Sequence, residues 1–264
     1  MKINQIKKTA ILGFFLYLPF SSFAWGVLGH RIVGQIADSY LTRQTKKEIY
    51  KILGTESIAM ASNWPDFIKS DPAYSYLSPW HYINLKAGLK EEQLKKYLET
   101  DTVTDAFTKT NWLVAQLKNI NAEPEKKVLY LRLLIHIVGD IHQPLHTGHF
   151  EDLGGNKIKV QWFNNPYNLH QIWDERLIDF QQLSYTEYAR AINYTTKAQR
   201  KEWQAETVSD WVWQSYKHAE KIYADIKPDE KLGFQYNFKF VETLNQQLLK
   251  GGIHLAGLLN KIFE

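Results

Sequence analysis

Two copies of a His-x3-Asp pattern, His136 to Asp140 and His170 to Asp174, are where this sequence is best equipped for chemistry, and His146 follows the first closely. An imidazole and a carboxylate four residues apart on a helix lie one turn apart on one stripe, so their ligating atoms converge on a point beside the helix. The chain has no cysteine, so any metal must be held by nitrogen and oxygen, and zinc accepts both. The same zero excludes disulfide scaffolds, thiolate zinc fingers, iron–sulfur clusters and cysteine nucleophiles. Taken singly, His-x3-Asp also suits a buried Asp–His hydrogen bond, or an ion pair with Arg132, which shares the stripe of His136 and Asp140. Two such pairs, together with His30 and His81, favour divalent cations.

The elements that must position these groups are mostly helical. Residues 124–143 begin with Pro124 and Glu125, which suit a first turn, and from Val128 to Ile141 nearly every face is apolar. Such a helix belongs in the middle of a bundle. A carboxylate and an imidazole buried there cost several kcal/mol unless their charge is compensated. Helical periodicity also marks 29–53, 90–100, 103–121, 202–227 and 234–262, the last expected to break at Gly251-Gly252. Ser184 to Glu187 reads as a capping box. The best strand signal, Lys157 to Trp162, alternates polar and apolar after Gly154-Gly155 and suits one arm of a small hairpin. The expected class is all-α: a helical bundle with long functional loops and one small β-hairpin.

Residues 1–24 have the form of a secretory signal peptide. Lys2, Lys7 and Lys8 precede an apolar stretch from Ala10 to Phe20, and Ser22-Phe23-Ala24 is a small-x-small cleavage site. That stretch is too short to span a bilayer and contains Pro19. Export to a periplasmic or extracellular location is expected, with the mature chain starting at Trp25. Loss of these lysines leaves 29 Lys plus Arg against 28 Asp plus Glu, so the formal charge falls from +4 to +1. Attraction of a polyanion must then come from local cations. With 44% hydrophobic and 14% aromatic residues the chain can fill a core, which excludes disorder. Residues 25–264 contain no linker, charge block or repeat, and one domain is expected.

The motifs together resemble the zinc-dependent single-strand-specific nucleases typified by the fungal nucleases S1 and P1. In order they are Trp25-Gly26-x-x-Gly29-His30, Asn63-Trp64-Pro65-Asp66, Pro79-Trp80-His81-Tyr82, the run from His136 to His146, Gly154-Gly155-Asn156, and Asn168-Leu169-His170-x-x-Trp173-Asp174. The resemblance implies three zinc ions per chain. The first would be held by Asp66, His81, His136 and Asp140. The second would take the Trp25 α-amine and carbonyl, His30 and the other oxygen of Asp140; the third, His146, His170 and Asp174. This set nearly fills the roughly twelve positions of three tetrahedral zincs, leaving places for water and substrate. An α-amine ligates only when free and neutral, so removal of the leader would be coupled to activation.

The same resemblance implies hydrolysis at the P–O3′ bond of single-stranded DNA, RNA and 3′-nucleotides by a metal-bound hydroxide. Asp66 would orient that nucleophile and Lys69 would clamp a phosphate oxygen. Tyr82 would stack on an unpaired base, Asn84 stands where the family often has an Asp at the base edge, and Asn156 would add a polar contact. Read without the family, Tyr82 is a core aromatic and Lys69 a surface lysine. His142 is expected in the core, His149 in a loop near the metals and His218 in solvent, while His254 is not expected to be a ligand. Asn193-Tyr194-Thr195 is a glycosylation sequon. A zinc-dependent phospholipase C is the alternative enzyme, and a zinc-storage protein the alternative outside catalysis. Neither a stable membrane association nor an obligate protein partner is expected, and a monomer suffices.

Overall fold

The computed structural model describes residues 25–264; the leader at 1–24 lies outside the described residues. Helices dominate, joined by one three-stranded sheet. At the centre runs Pro124–Ile141, whose residues Leu131 and Leu133 through Ile141 are all buried. Its apolar faces are covered on several sides, chiefly by Val27–Asp38, Ala106–Lys118 and Phe234–Phe263. Among the described residues no helix is long and apolar enough to cross a membrane.

The expected 29–53 helix is two, Val27–Asp38 and Arg43–Leu53. The chain breaks between them because the Thr42 hydroxyl accepts from Thr45 N (3.2 Å) and starts the second helix afresh. Likewise 202–227 divides into Lys197–Ala205 and Val208–Ala224, the latter opened by a Thr207–Asp210 capping box. Ala106–Lys118 is shorter than expected because Asp105 caps it, accepting from Thr108 N at 2.8 Å. The Ser184–Glu187 capping box forms as read.

The expected break at Gly251-Gly252 does not occur: Phe234–Phe263 runs unbroken through both. A Cβ at Gly252 would lie 2.5 Å from Ile36 Cβ. These glycines therefore serve close packing against Val27–Asp38, and the burial gained outweighs their poor helix propensity.

Strand β1 (Lys159–Trp162) pairs antiparallel with β2 (Asn165–Asn168), in the register Lys159 with Asn168 and Trp162 with Asn165. Phe163 and Asn164 turn the hairpin with φ of 48° and 65°, the left-handed pair that matches strand twist. Strand β3 (Glu230–Leu232), which has no signal in the residue pattern, joins the other edge of β1 in parallel. From this hairpin the chain passes directly into the second His-x3-Asp segment.

Candidate metal centre

The central helix presents His136 and Asp140 inward from its last two turns, fully buried, with His136 Nε2 3.2 Å from Asp140 Oδ2. Opposite them stands His81, at the end of the 3-10 segment Pro72–His81, which is anchored by Asp71 accepting from Ala73 N. His81 Nδ1 is 3.0 Å from Asp140 Oδ2 and 2.9 Å from His136 Nε2. Asp66, from the short turn Trp64–Phe67, brings Oδ1 within 3.7 Å of His136 Nε2. His30 stacks on His136 with ring centroids 3.8 Å apart and points Nε2 at Asp140 Oδ1, 3.3 Å away. This approach requires Gly139, where a Cβ would lie 2.8 Å from His30 Nδ1 and 3.8 Å from Trp25 Cδ1.

The second motif uses another backbone. Helix Leu169–Gln171, capped by Asn168 accepting from Gln171 N (2.8 Å), runs into a π turn at Ile172–Arg176. Across that junction His170 Nε2 lies 3.2 Å from Asp174 Oδ2, while His146 brings Nε2 within 3.7 Å of Asp174 Oδ1. Gly26 N donates to Asp174 O (2.8 Å), tying the start of the described chain to this segment.

Three rings are oriented by main-chain carbonyls. His136 Nδ1 donates to Ser62 O (2.6 Å), His146 Nδ1 to His81 O (2.5 Å) and His170 Nδ1 to Gly154 O (2.6 Å). A proton fixed on Nδ1 leaves a lone pair on Nε2 for a cation. Nε2 of His146 and of His170, both nitrogens of His30, Asp66 Oδ2 and Asp140 Oδ1 are buried without a hydrogen bond. So many unsatisfied buried atoms in one place are costly unless something binds them. Their donor set is that of zinc, and the ligating atoms group as His30, Asp66 and His136; His81, His136 and Asp140; and His146, His170 and Asp174. Eight of the nine expected ligand residues, all but Trp25, offer side-chain atoms to these groups, and His30, 3.3 Å from its expected partner Asp140, also groups with Asp66 and His136.

Against the effect of burial, the buried carboxylates raise His136 and His146 above the usual imidazole range, so a cation binding there displaces their protons. Burial alone would raise the Asp140 carboxyl, but the facing His136 and His146 outweigh it and hold the group well below the usual carboxylate range. Asp66 is likewise opposed by burial yet lowered to about 2, by His136 and Lys69. Burial pushes His81 down to about 4, keeping it neutral as a ligand must be.

A cavity of about 1040 Å3 opens onto this cluster, walled by His81, His146 and His170 and by Lys69, Tyr82, Asn84 and Asn156. Tyr82 is 38% exposed, so it is not a core aromatic. Lys69 Nζ donates to Asp66 Oδ1 (2.6 Å), occupying one carboxylate oxygen and leaving Oδ2 open. Asn156 Nδ2 donates to Leu153 O at 2.8 Å.

Arg132 leaves the stripe of His136 and Asp140 to pair with Glu56 (2.8 Å) over the face of Trp64, outside the cluster. His142 and His254 form a buried pair, Nε2 to Nδ1 2.6 Å. His149 pairs with Glu220 and stacks on Tyr223. His218, expected in solvent, is half-buried, and burial lowers it to about 4. The residue that sequence reasoning missed is Gln143. Its Nε2 donates to Asp174 Oδ1 (2.6 Å), and its Oε1 accepts from Leu145 N (2.5 Å) in the turn carrying His146. Its place three residues after Asp140 and three before His146 was the available signal.

The S1/P1 Nuclease family profile matches residues 25–264. Endonuclease 3 of Arabidopsis thaliana is 31% identical over 265 residues, covering 91% of this chain and 89% of that protein. Endonuclease 4 of the same plant is 30% identical, covering 91% and 89%. Nuclease S1 of Aspergillus oryzae is 31% identical over 162 residues, covering 59% of this chain and 55% of that one. By the length of that match and the helical fold around these His and Asp groups, the chain belongs to the S1/P1 nuclease family, zinc-dependent hydrolases of phosphodiester bonds in single-stranded nucleic acids.

Proposed function

We propose that residues 25–264 form a single catalytic unit, an exported endonuclease and 3′-nucleotidase. It hydrolyses the P–O3′ bond of single-stranded DNA and RNA to 5′-phosphorylated products, with three zinc ions as cofactor. The carrying observation is the convergence of unpartnered imidazole nitrogens and carboxylate oxygens behind the wall of a large open cavity. Asp66, His81, His136 and Asp140 hold one ion, and Trp25, His30 and Asp140 the second. His146, His170 and Asp174 hold the third. Supporting the Trp25 assignment, its ring and that of His30 both lie within 4 Å of where a Cβ on Gly139 would stand, which brings Trp25 to the His30 side of the cluster. Removal of residues 1–24 frees the α-amine that this ligand requires.

Bound zinc supplies Lewis acidity, lowering the pKa of a water toward neutral and balancing charge on phosphate oxygens and the leaving 3′-oxygen. The protein does the remaining work. Asp66 is held ionised, with Oδ1 engaged by Lys69, so Oδ2 is the oxygen left to face the cation and to orient a water by accepting a hydrogen bond from it. Lys69 lines the cavity, where its cation draws in a phosphate oxygen. Tyr82 offers an exposed ring on which a base stacks only when unpaired, giving single-strand preference. Asn84 and Asn156 line the same wall and contact the base edge and the scissile group. The unit acts as a monomer without an obligate partner or stable membrane association.

The test is parallel hydrolysis of single-stranded DNA, duplex DNA, RNA, a 3′-nucleotide and phosphatidylcholine by the mature chain, with its zinc content measured. Rapid cleavage of the single strands, the RNA and the 3′-nucleotide is expected. Preference for phosphatidylcholine, or full turnover in excess chelator with less than one zinc per chain, would overturn the reading.

A further inference from the structure

The segment Pro72–His81 carries three aromatics as well as the proposed ligand His81, and they lead away from the cavity. Tyr74 lines the cavity. It stacks against Tyr76 with ring centroids 6.4 Å apart; Tyr76 meets the edge of Trp80 at 6.0 Å, and Trp80 meets Trp112 at 5.8 Å. Trp80 is buried and acts as the strut, while Tyr76 and Trp112 are 51% and 37% exposed. Between the two tryptophans sits Lys109, its Nζ 4.8 Å from the Trp80 centroid and 5.5 Å from that of Trp112. No carboxylate among the described residues pairs with it. An aromatic row with an interleaved cation, continuous with a catalytic cavity, has the makings of a single-strand track: each base has a π-face for a ring, and each phosphate needs a positive charge.

Resting on the nuclease reading above, we infer that Tyr76, Trp112 and Lys109 form an extension subsite that holds the single strand where it leaves the cavity. The occupant is a continuation of the substrate rather than another protein. The row begins at a cavity-lining residue, and its one unpaired cation suits a phosphate. The surface therefore sets a preference for polynucleotides over dinucleotides without touching the reacting atoms. Because Tyr76 and His81 share one short segment, the track is held in fixed register with the cleavage site.

The test compares a dinucleotide with a single-stranded dodecanucleotide on the zinc-loaded enzyme, and measures affinity for a hydrolysis-resistant dodecanucleotide by fluorescence anisotropy. Tyr76→Ala and Trp112→Ala should each raise KM and Kd for the dodecamer at least about fivefold, the lower end of what one stacked base contributes, with the dinucleotide unaffected. Lys109→Gln preserves the rings, and loss of one phosphate contact should reduce the slope of log affinity against log salt by about 0.7. Equal losses on both substrates would show a packing role and overturn the inference, as would unchanged dodecamer affinity in all three variants. A wild-type protein that binds the dodecamer with these dependences yet cleaves neither substrate would keep the subsite and overturn the hydrolytic reading instead.

Discussion

The two His-x3-Asp segments reach the same geometry from opposite kinds of backbone. In both, imidazole nitrogen and carboxylate oxygen stand 3.2 Å apart. His136 and Asp140 sit in an 18-residue helix buried through its second half, where neighbours on every side fix each side chain. His170 and Asp174 span the junction between a three-residue helix and a π turn, too short to be stable alone. The second pair is instead held by contacts at its ends: the Asn168 cap, the Gly154 carbonyl, and Gln143 reaching across from the end of the central helix. Both pairs are buried, but the second relies more on hydrogen bonds from neighbouring segments than on the continuity of a long helix, so damage to them should differ in kind.

The largest effect should come from Asp140→Asn. Removing a charge that faces four imidazoles should lower turnover at least about a thousandfold, as expected for several kcal/mol of metal-derived stabilisation. It should also cost about 3–5 kcal/mol of folding free energy. Asp174→Asn should lose one zinc, and with it that ion's share of stability, while the ions at the other centre stay bound; loss of all bound zinc in this variant would erase the distinction drawn above. Chelation comes next. If the cations hold the packed centre together, their removal should lower stability by about 3–4 kcal/mol for each site that was saturated 100- to 1,000-fold above its Kd. Calorimetry with and without chelator checks this, and an unchanged melting temperature would contradict it.

Gln143→Ala should weaken zinc at the His146, His170 and Asp174 site by about 10- to 100-fold, the usual consequence of losing a group that orients a ligand. Competition with a zinc-sensitive dye would show one weakened site among intact ones; uniform weakening would mean that Gln143 supports the whole fold. Asn168→Ala removes a helix cap and a long hydrogen bond to Asn156, and should cost about 1 kcal/mol in denaturant unfolding. The smallest effect lies outside both centres. Burial lowers His218 from 6.5 to about 4, so the unfolded chain takes up a proton in that interval that the folded chain refuses. Its contribution is present above pH 6.5 and is lost as pH falls toward 4. His218→Gln should flatten the acid limb of the stability curve slightly, and an unchanged slope would place the imidazole in water.

The central helix was legible because its apolar run and the polar interruptions at His136 and Asp140 are both local in sequence. The proposed ligand residues could be named from their motifs for the same reason. What sequence did not show depends on partners far along the chain. Gly251-Gly252 reads as a break until Ile36 is known to press against it. β3 has no alternating pattern because its three residues are defined by the edge of β1. His218 lies on a helix with lysines around it, which reads as a solvated face, yet its ring is half-buried. Gln143 was visible as a letter in a motif, but its double hydrogen bond depends on a fold that returns Asp174 to it.

The carbonyls that orient His136, His146 and His170 belong to Ser62, His81 and Gly154. A main-chain oxygen survives any side-chain substitution, so alanine scanning across the site would score Ser62 as silent even though its backbone aims a proposed ligand. The His81 carbonyl adds a further twist: one residue offers its ring to the first cluster and its peptide oxygen to a histidine of the other. A substitution that displaces the backbone at His81 would therefore disturb both clusters at once, even if the imidazole itself were kept in place.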